Sequence, residues 1–513
     1  MPSLLDGLIE PGDEVIETHI SWVVIRGDDV FKIKKPVSLG FLDFSTLELR
    51  RRACDAEKEL NERLAPGVYH GRVPLTRDDK GQLQLGGDGE VVEWAVHMSR
   101  MPEADRADVR LADGRLDAAA IELVARRLAT FHAAARCDEE TAGYGTREVI
   151  SGNVKENFDQ TRERLHRYID ERQAAEVEAW QIGFLATQAD HFDARRRSGY
   201  VRDGHGDLRL EHVYIDANGE VVVLDCIEFN PRFRFADVCA DIAFLAMDLT
   251  WHDRSDLAET FLAAYARETQ DYGLYRLVDF YESYRAFVRG KIASITAEDS
   301  SYPLTVRERA TREARKYFLL AQASGRRSLV PPRVVAVGGL IATGKSTLAR
   351  TLGSRLAAPV IEADRARKSL LGVEPTAPVH EPSWSGAYSE EQTDRTYDEL
   401  LSRAETVLAS GRTVILDASF RSRAARRAAR ELAEFHGVSF LFVECQASRE
   451  LCMERLRERE RWASTSDGRR EIFDDFAAAW EPADELDPAH YLPLDTALPL
   501  ESNLETLSER LGA

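Results

Sequence analysis

Gly339, Gly344, Lys345 and Ser346 stand at the spacing G-x-x-x-x-G-K-S inside the decapeptide 338–347. The apolar run 333–337 before it reads as a buried strand and 346–356 after it as a helix, the context that makes the pattern a phosphate-binding loop. Such glycines let backbone N–H groups curl around a polyphosphate, and the helix N-terminus adds partial positive charge. Gly339, Thr343, Gly344, Lys345, Ser346 and Thr347 are therefore the expected nucleotide contacts. Lys345 would reach the β- and γ-phosphates, and Ser346 would hold Mg²⁺ through its hydroxyl.

Further carboxylates and cations follow at telling places. Asp364 ends a strand read over 359–364, and in an open parallel sheet ligands lie at the carboxyl ends of strands. That placement makes Asp364 the expected base at the acceptor hydroxyl, with Arg367 and Lys368 beside it as acceptor-side cations. Asp417 ends the buried strand 411–417 and suits an acid that orients Mg²⁺. The helix carrying Arg449, Arg455, Arg457, Arg459 and Arg461 reads equally as a solvated face or as a lid. In the lid reading Arg455 and Arg459, four apart on one face, close on the transferring phosphoryl.

A second group lies upstream. His205-Gly206-Asp207 occupies a loop, His212 follows five residues later, and an apolar strand 221–224 delivers Asp225. An Asp, a ligand position and a second Asp in that layout form a catalytic loop followed by a metal-binding carboxylate. Lys32 sits in a strand read over 30–33, after a hairpin signal at 26–29; Lys34 and Lys35 are alternatives for the same role. Glu57 lies on a charged helix, 45–64. The stretches 117–135, 151–197 and 303–325 read as long helices.

The elements need room for two cores. The chain has 513 residues, 44% hydrophobic and 30% charged, so two or three domains of ordinary globular composition are expected. A formal charge of −20 argues against nucleic acid as a partner. No apolar run is long enough to span a membrane, and the N-terminus lacks signal-peptide regions. Six scattered cysteines without metal spacing read as reduced thiols of a cytoplasmic protein. Gly325 through Pro332 breaks the periodicity, giving a linker at 326–332 between domains 1–325 and 333–513.

The signature H-G-D followed by Asp225-Cys226-Ile227-Glu228 resembles the aminoglycoside-phosphotransferase-like family over most of 15–325. The resemblance implies a bilobal protein-kinase-like fold, with an N-lobe over about 1–100 and a C-lobe over about 101–325. It implies that Asp207 orients or accepts the substrate hydroxyl proton, that Asp225 binds Mg²⁺ with His212 in the second ligand position, and that Lys32 and Glu57 form the phosphate-positioning pair. It also makes 96–101 the hinge, with Met98 and Met101 near the base, and makes Asp237 and Asp241 braces of the catalytic loop. Arg209, counted on the acceptor side, stands where that family has His. His212 stands where it has Asn, and imidazole is a poor Mg²⁺ ligand.

Residues 333–500 resemble P-loop kinases of the zeta-toxin-like and gluconate-kinase-like groups, a doubly wound parallel α/β fold. The order of halves is that of bacterial fusions of a phosphotransferase-like domain with a P-loop kinase domain. The resemblance implies a bifunctional Mg²⁺-dependent kinase that uses ATP or GTP. Its acceptors would be small-molecule hydroxyls of a sugar, sugar acid, nucleotide-sugar or aminoglycoside-like compound. Two alternatives stand beside it: one active P-loop kinase with a degenerate nucleotide-binding N-terminal module, and a nucleotide-driven switch.

Overall fold

The computed structural model describes residues 7–38, 42–324, 331–459, 461 and 465–512. They form two compact units: Met1–Asp253 with Phe280–Ser324, and Arg254–Asp279 with Gly325–Ala513. Of the expected linker, 326–330 lie outside the described residues.

The first unit opens with an antiparallel six-stranded sheet. Its spatial order is Glu14–Glu17, Ser21–Arg26, Asp29–Lys34, Glu90–Ser99, Tyr69–Arg77, Leu83–Leu85. Gly27, at φ +60°, supplies the left-handed residue of the tight turn that pairs Arg26 with Asp29. That register sets Lys32 opposite Val23 and Lys34 opposite Ser21. Side chains two apart on a strand share a face, so Lys32 and Lys34 point the same way.

Toward that face lies the helix Leu47–Asn61, capped by the Thr46 hydroxyl on the Leu49 N–H at 3.2 Å. Its buried stripe is Arg50, Cys54, Glu57 and Asn61, spaced four, three and four apart. Three of those four are polar, and each has a partner in the same unit. Arg50 forks the Glu93 carboxylate at 2.8 Å, Asn61 accepts from the Cys226 N–H at 2.9 Å, and Glu57 takes the lysines.

Helices make up most of the rest of this unit. The single helix expected over 151–197 is instead three: Arg147–Thr161, Glu171–Thr187 and Ala189–Arg197. The first break is fixed by a capping box in which Asp170 and Gln173 satisfy each other's backbone N–H groups. An antiparallel pair, Val201–Asp203 with Phe235–Asp237, and a hairpin, Val213–Ile215 with Val221–Val223, suspend the loop bearing Asp207.

The second unit is a five-stranded parallel sheet in the order Val360–Glu362, Val414–Asp417, Arg333–Gly339, Ser439–Gln446, Tyr491–Asp495. Its central strands are buried on both faces, as crossover helices require. Val335, Val337 and Ile415 pack with Leu348 and Leu352 of helix Lys345–Leu356 and Leu504 and Leu507 of helix Leu500–Leu511. Phe442, on the alternate parity, lies under the Arg426 guanidinium of helix Arg423–Phe435.

Helix Ser255–Thr269 and the turn Tyr272–Arg276 complete this unit from a distance in sequence. The Tyr272 hydroxyl donates to the Val360 carbonyl at 2.9 Å on the edge strand. Arg412 donates to Glu259 at 2.7 Å and to Asp279 at 2.9 Å, tying down both ends of the segment. All six cysteines are free. No helix among the described residues is long and apolar enough to cross a membrane.

Candidate active sites

The phosphate-binding loop leaves the central strand at Gly339 and enters the helix at Lys345. Gly339 has φ +138°, and a Cβ there would sit 2.4 Å from the Cys445 carbonyl oxygen, so no other residue fits. Gly344, at φ +88°, precedes the helix. Lys345 Nζ donates to the Leu340 carbonyl at 2.6 Å, and burial lowers its proton affinity against the pull of Asp417.

Ser346 donates its hydroxyl to Asp417. Burial pushes the Asp417 carboxyl up to about 7, with Glu362 adding like charge and the Ser346 hydrogen bond opposing. A buried carboxylate and a hydroxyl, both hard oxygen donors beside a phosphate loop, fit Mg²⁺ in donor chemistry.

One cavity collects much of the expected set. Gly339, Gly344, Lys345, Ser346 and Thr347 line it from the loop, and Asp364, Arg367, Asp417 and Arg459 from elsewhere. Asp364 lies in the first turn of helix Ala363–Leu371, because the strand stops at Glu362. Burial raises its proton affinity, Arg367 opposes, and the Ser466 hydroxyl donates to it. Arg459 reaches the Ser466 oxygen at 3.3 Å, and burial lowers its proton affinity while Asp364 draws it back.

Three expected contacts stand outside that cavity. Lys368 is buried and donates to the carbonyls of Pro375 at 3.1 Å and Thr465 at 2.8 Å, with Asp467 at 3.3 Å. It braces the cavity wall instead of facing an acceptor. Arg455 donates to the Thr496 carbonyl at 2.6 Å, and the Thr496 hydroxyl donates to the Thr343 carbonyl at 2.7 Å. Arg455 therefore clamps the outside of the phosphate loop. The Thr343 hydroxyl turns inward onto the Leu340 carbonyl at 2.8 Å.

The sequence reading passed over the far wall of the cavity. Arg421 follows the Asp417 strand, and Trp384, Tyr388 and Phe476 come from loops and a short helix without a periodic signal. Only the adjacency of Arg421 to a strand-end acid offered a clue.

In the first unit, Lys32 Nζ lies 3.0 Å from Glu57 and 2.5 Å from Asp225. Lys34 lies 2.5 Å from Glu57 and also pairs with Glu228, both acids and the lysine being buried. Lys35, on the opposite face, goes to Glu17 at 2.7 Å. Lys32 alone bridges the helix acid to Asp225. Asp225 itself sits at φ +63°, a conformation a non-glycine residue adopts only when its surroundings hold it.

Asp207 is gripped by Arg209, whose Nε and Nη2 each stand 3.1 Å from one carboxylate oxygen. Burial would raise the Asp207 carboxyl, but Arg209 and then His212 hold it well below the usual range. Arg209 also pairs with Glu211, so its guanidinium is committed to two acids and not to an open acceptor side. His212 Nδ1 is 2.8 Å from the Asp207 carbonyl, which can only accept, so Nδ1 carries a proton. Its Nε2 then faces Asp225 at 3.8 Å. Asp225 is a hard-oxygen donor for Mg²⁺ and His212 is not, so this pair fits that ion less well than Ser346 and Asp417 do.

Asp241 accepts from the His205 and Gly206 N–H groups at 2.6 and 2.9 Å and fixes the loop. Asp237 instead forks Arg195 at 2.7 and 2.8 Å and caps its helix. Met98 and Met101 pack with Val68, Tyr69, Val96 and Leu224, forming an apolar shelf where sheet and C-lobe residues meet.

The AAA domain family designated AAA_33 matches residues 334–483. The uncharacterized protein Rv2004c of Mycobacterium tuberculosis is 32% identical over 483 residues, covering 94% of this chain and 93% of that protein. Among solved structures, a sugar kinase from Janibacter sp. is 19% identical at a TM-score of 0.28, covering 36% of this chain and 95% of its own. The GDP complex of aminoglycoside 2′-phosphotransferase-IIIa is 13% identical at a TM-score of 0.35, covering 60% of this chain and 92% of its own.

Proposed function

The chain belongs to the same family as the mycobacterial protein Rv2004c, and from that premise we propose that it is a nucleotide-dependent phosphotransferase whose principal site is the second unit. The reaction is transfer of the γ-phosphoryl of ATP or GTP to a small-molecule hydroxyl. One observation carries this reading: Lys345, Ser346 and Asp417 share a cavity with Asp364 and Arg459. Phosphate-binding and acceptor-side chemistry thus face each other, which nucleotide binding alone does not require.

Ser346 and Asp417 would hold Mg²⁺, which when bound would offset the charge of the phosphate oxygens. Asp364 takes the acceptor proton as the acceptor oxygen bonds to the γ-phosphorus and the bond to the departing diphosphate oxygen breaks. Burial raises its proton affinity, which favours its taking the acceptor proton. Lys345 and Arg459 neutralise charge on the moving phosphoryl.

The first unit supplies the second site of the same reading, with Lys32 on the phosphates, Met98 and Met101 on the base, Asp207 at the acceptor hydroxyl and Asp225 at the metal. A second reading, in which this unit binds nucleotide without transferring phosphate, draws on the Arg209 grip on Asp207 and on the imidazole of His212.

The test is phosphoryl transfer by the full chain across sugars, sugar acids, nucleotide-sugars and aminoglycosides. Lys345→Ala is expected to lose about 100-fold or more in kcat/KM for one acceptor class. If Asp207→Ala removes transfer to a different acceptor, both sites are kinases. If Asp207→Ala changes nothing, the first unit is a binding module. Nucleotide turnover with no acceptor phosphorylated would favour a switch and sink the kinase reading.

A further inference from the structure

Beyond the phosphate loop, the cavity wall is unusual in its charge. The Arg421 guanidinium carbon lies over the Trp384 indole, 3.9 Å from its ring centroid, and 5.5 Å from the Phe476 centroid. Those two rings are themselves stacked, 4.8 Å apart at 23°. A guanidinium kept in place by a cation–π contact retains its planar N–H donors for a carboxylate or phosphate. Arg421 has no carboxylate within salt-bridge distance among the described residues.

Arg367 is the second cation of this wall. It is 93% buried (7% exposed), donates Nη1 to the Ala387 carbonyl at 2.7 Å and lies 4.7 Å from the Tyr388 ring centroid. Its Nε is buried and has no hydrogen-bond partner among the described residues. Burial lowers the proton affinity of Arg421, and Arg367 adds like-charge repulsion to it. Asp364 offsets part of the Arg367 charge and Glu481 part of that on Arg421, while Glu481 also accepts from the Arg423 N–H at 2.6 Å. Two guanidiniums thus still repel each other along one cavity wall. Neutral polyols do not relieve that repulsion, whereas an oxyanion does.

We infer that the acceptor of the second unit carries an oxyanion, a carboxylate or a phosphate, in addition to the hydroxyl it presents to Asp364, and that Arg367 and the aromatic-backed Arg421 hold that oxyanion. The inference rests on the kinase reading of this cavity. It excludes neutral sugars and cationic aminoglycosides as preferred acceptors at this site. The acceptor would then be read by its charge in the cavity that also holds the phosphate loop and Asp364.

The test is calorimetric titration of the full chain in MgADP with four probes: D-sorbitol, D-gluconate, 6-phosphogluconate and a nucleoside 5′-monophosphate. At least one anionic probe is expected to bind ten-fold or more tighter than sorbitol. Gluconate against its phosphate separates a carboxylate from a phosphate site. Arg421→Met, which keeps apolar bulk on the indole, is expected to weaken that probe at least ten-fold, and Arg421→Lys to recover only part of it. The shift in melting temperature with MgADP, run alongside, reports whether each variant is folded.

Equal binding of sorbitol, an anionic probe indifferent to Arg421→Met, or no binding of any anionic probe would each overturn the inference. Titration reads acceptor seating without chemistry. An anion that binds through Arg421 yet is never phosphorylated would therefore sink the kinase reading and leave the oxyanion clamp standing.

Discussion

Asp207 and Asp364 are both candidate bases, yet their surroundings push their proton affinities in opposite directions. Burial acts on each, but Arg209 forks Asp207 and overrides it, whereas Arg367 only moderates the effect at Asp364. Asp364→Asn is therefore expected to lower kcat for the second unit's acceptor about 100-fold while leaving nucleotide affinity within a few-fold, read by steady-state kinetics beside calorimetry. At the first unit the grip of Arg209 leaves Asp207 ionised, able to orient a hydroxyl but weak as a proton acceptor.

Lys291 gives a residue-level test of stability. Burial lowers its ammonium to about 8, although Asn157 and Gln160 accept from it at 2.6 and 2.9 Å. Its unfolded value is 10.5, so between pH 8 and 10.5 the unfolded chain binds more protons. Stability contributed at this residue is then lowest below pH 8 and recovers as pH rises through that window, by up to about 3 kcal/mol. Lys291→Met is expected to narrow its advantage over wild type between pH 7.5 and 10 in urea unfolding; a difference independent of pH would contradict the shift. Residue identity and spacing announced the loop glycines, Asp207, Asp225 and Asp417. They did not announce Arg421, whose role depends on two rings that arrive from remote loops.

Elements explain why some spacing arguments reached their targets and others stopped short. Arg455 and Arg459 do share a helical face, but a face has depth: Arg455, one turn earlier, meets the Thr496 loop, and Arg459 reaches the cavity. Lys32 and Lys34 share a strand face for the same geometric reason, and only the helix Leu47–Asn61 and Asp225 separate their roles. The breaks within 151–197 were readable in part, since Asp170 and Gln173 carry the capping-box spacing. The buried face of Arg147–Thr161, at Val154, Asn157, Phe158 and Thr161, points about half a turn away from that of the next two helices, at Val177, Gln181, Leu185, Phe192 and Arg195, a shift that a continuous helix would not make. At the phosphate loop, Gly339→Ala is expected to cost about 1–3 kcal/mol and to abolish nucleotide binding, because the added Cβ meets the Cys445 carbonyl oxygen at a φ that only glycine tolerates. A variant that melts and binds as wild type would show that the loop can relax.

At the scale of the whole molecule, length and composition call for more than one domain, and the chain divides into two compact units. Nothing in the Gly and Pro punctuation near 325–332 announces that residues 254–279 pack with the second unit. Helix Ser255–Thr269 is an ordinary amphipathic helix, and its allegiance is decided by Arg412, Arg403 and the Val360 carbonyl far along the chain. Arg412→Ala would leave Glu259 and Asp279 without their shared cation and is expected to lower the second unit's melting temperature by several degrees. A chain beginning at residue 331 should be less stable still, because its edge strand loses the Tyr272 hydrogen bond.

The alternation of the chain between units also orders its birth on the ribosome. Residues 254–279 leave the exit tunnel long before the sheet that will receive them, and residues 280–324 must join the earlier unit in the interval. At elongation rates of about 5–20 residues per second, the wait for the rest of that sheet lasts roughly 10–40 s. During that time an amphipathic helix stands without its partner in a half-made protein. Synonymous codons that slow translation after residue 325 would lengthen that exposure, and nascent-chain proteolysis timed across 280–440 would show it as a transient cut within 254–279.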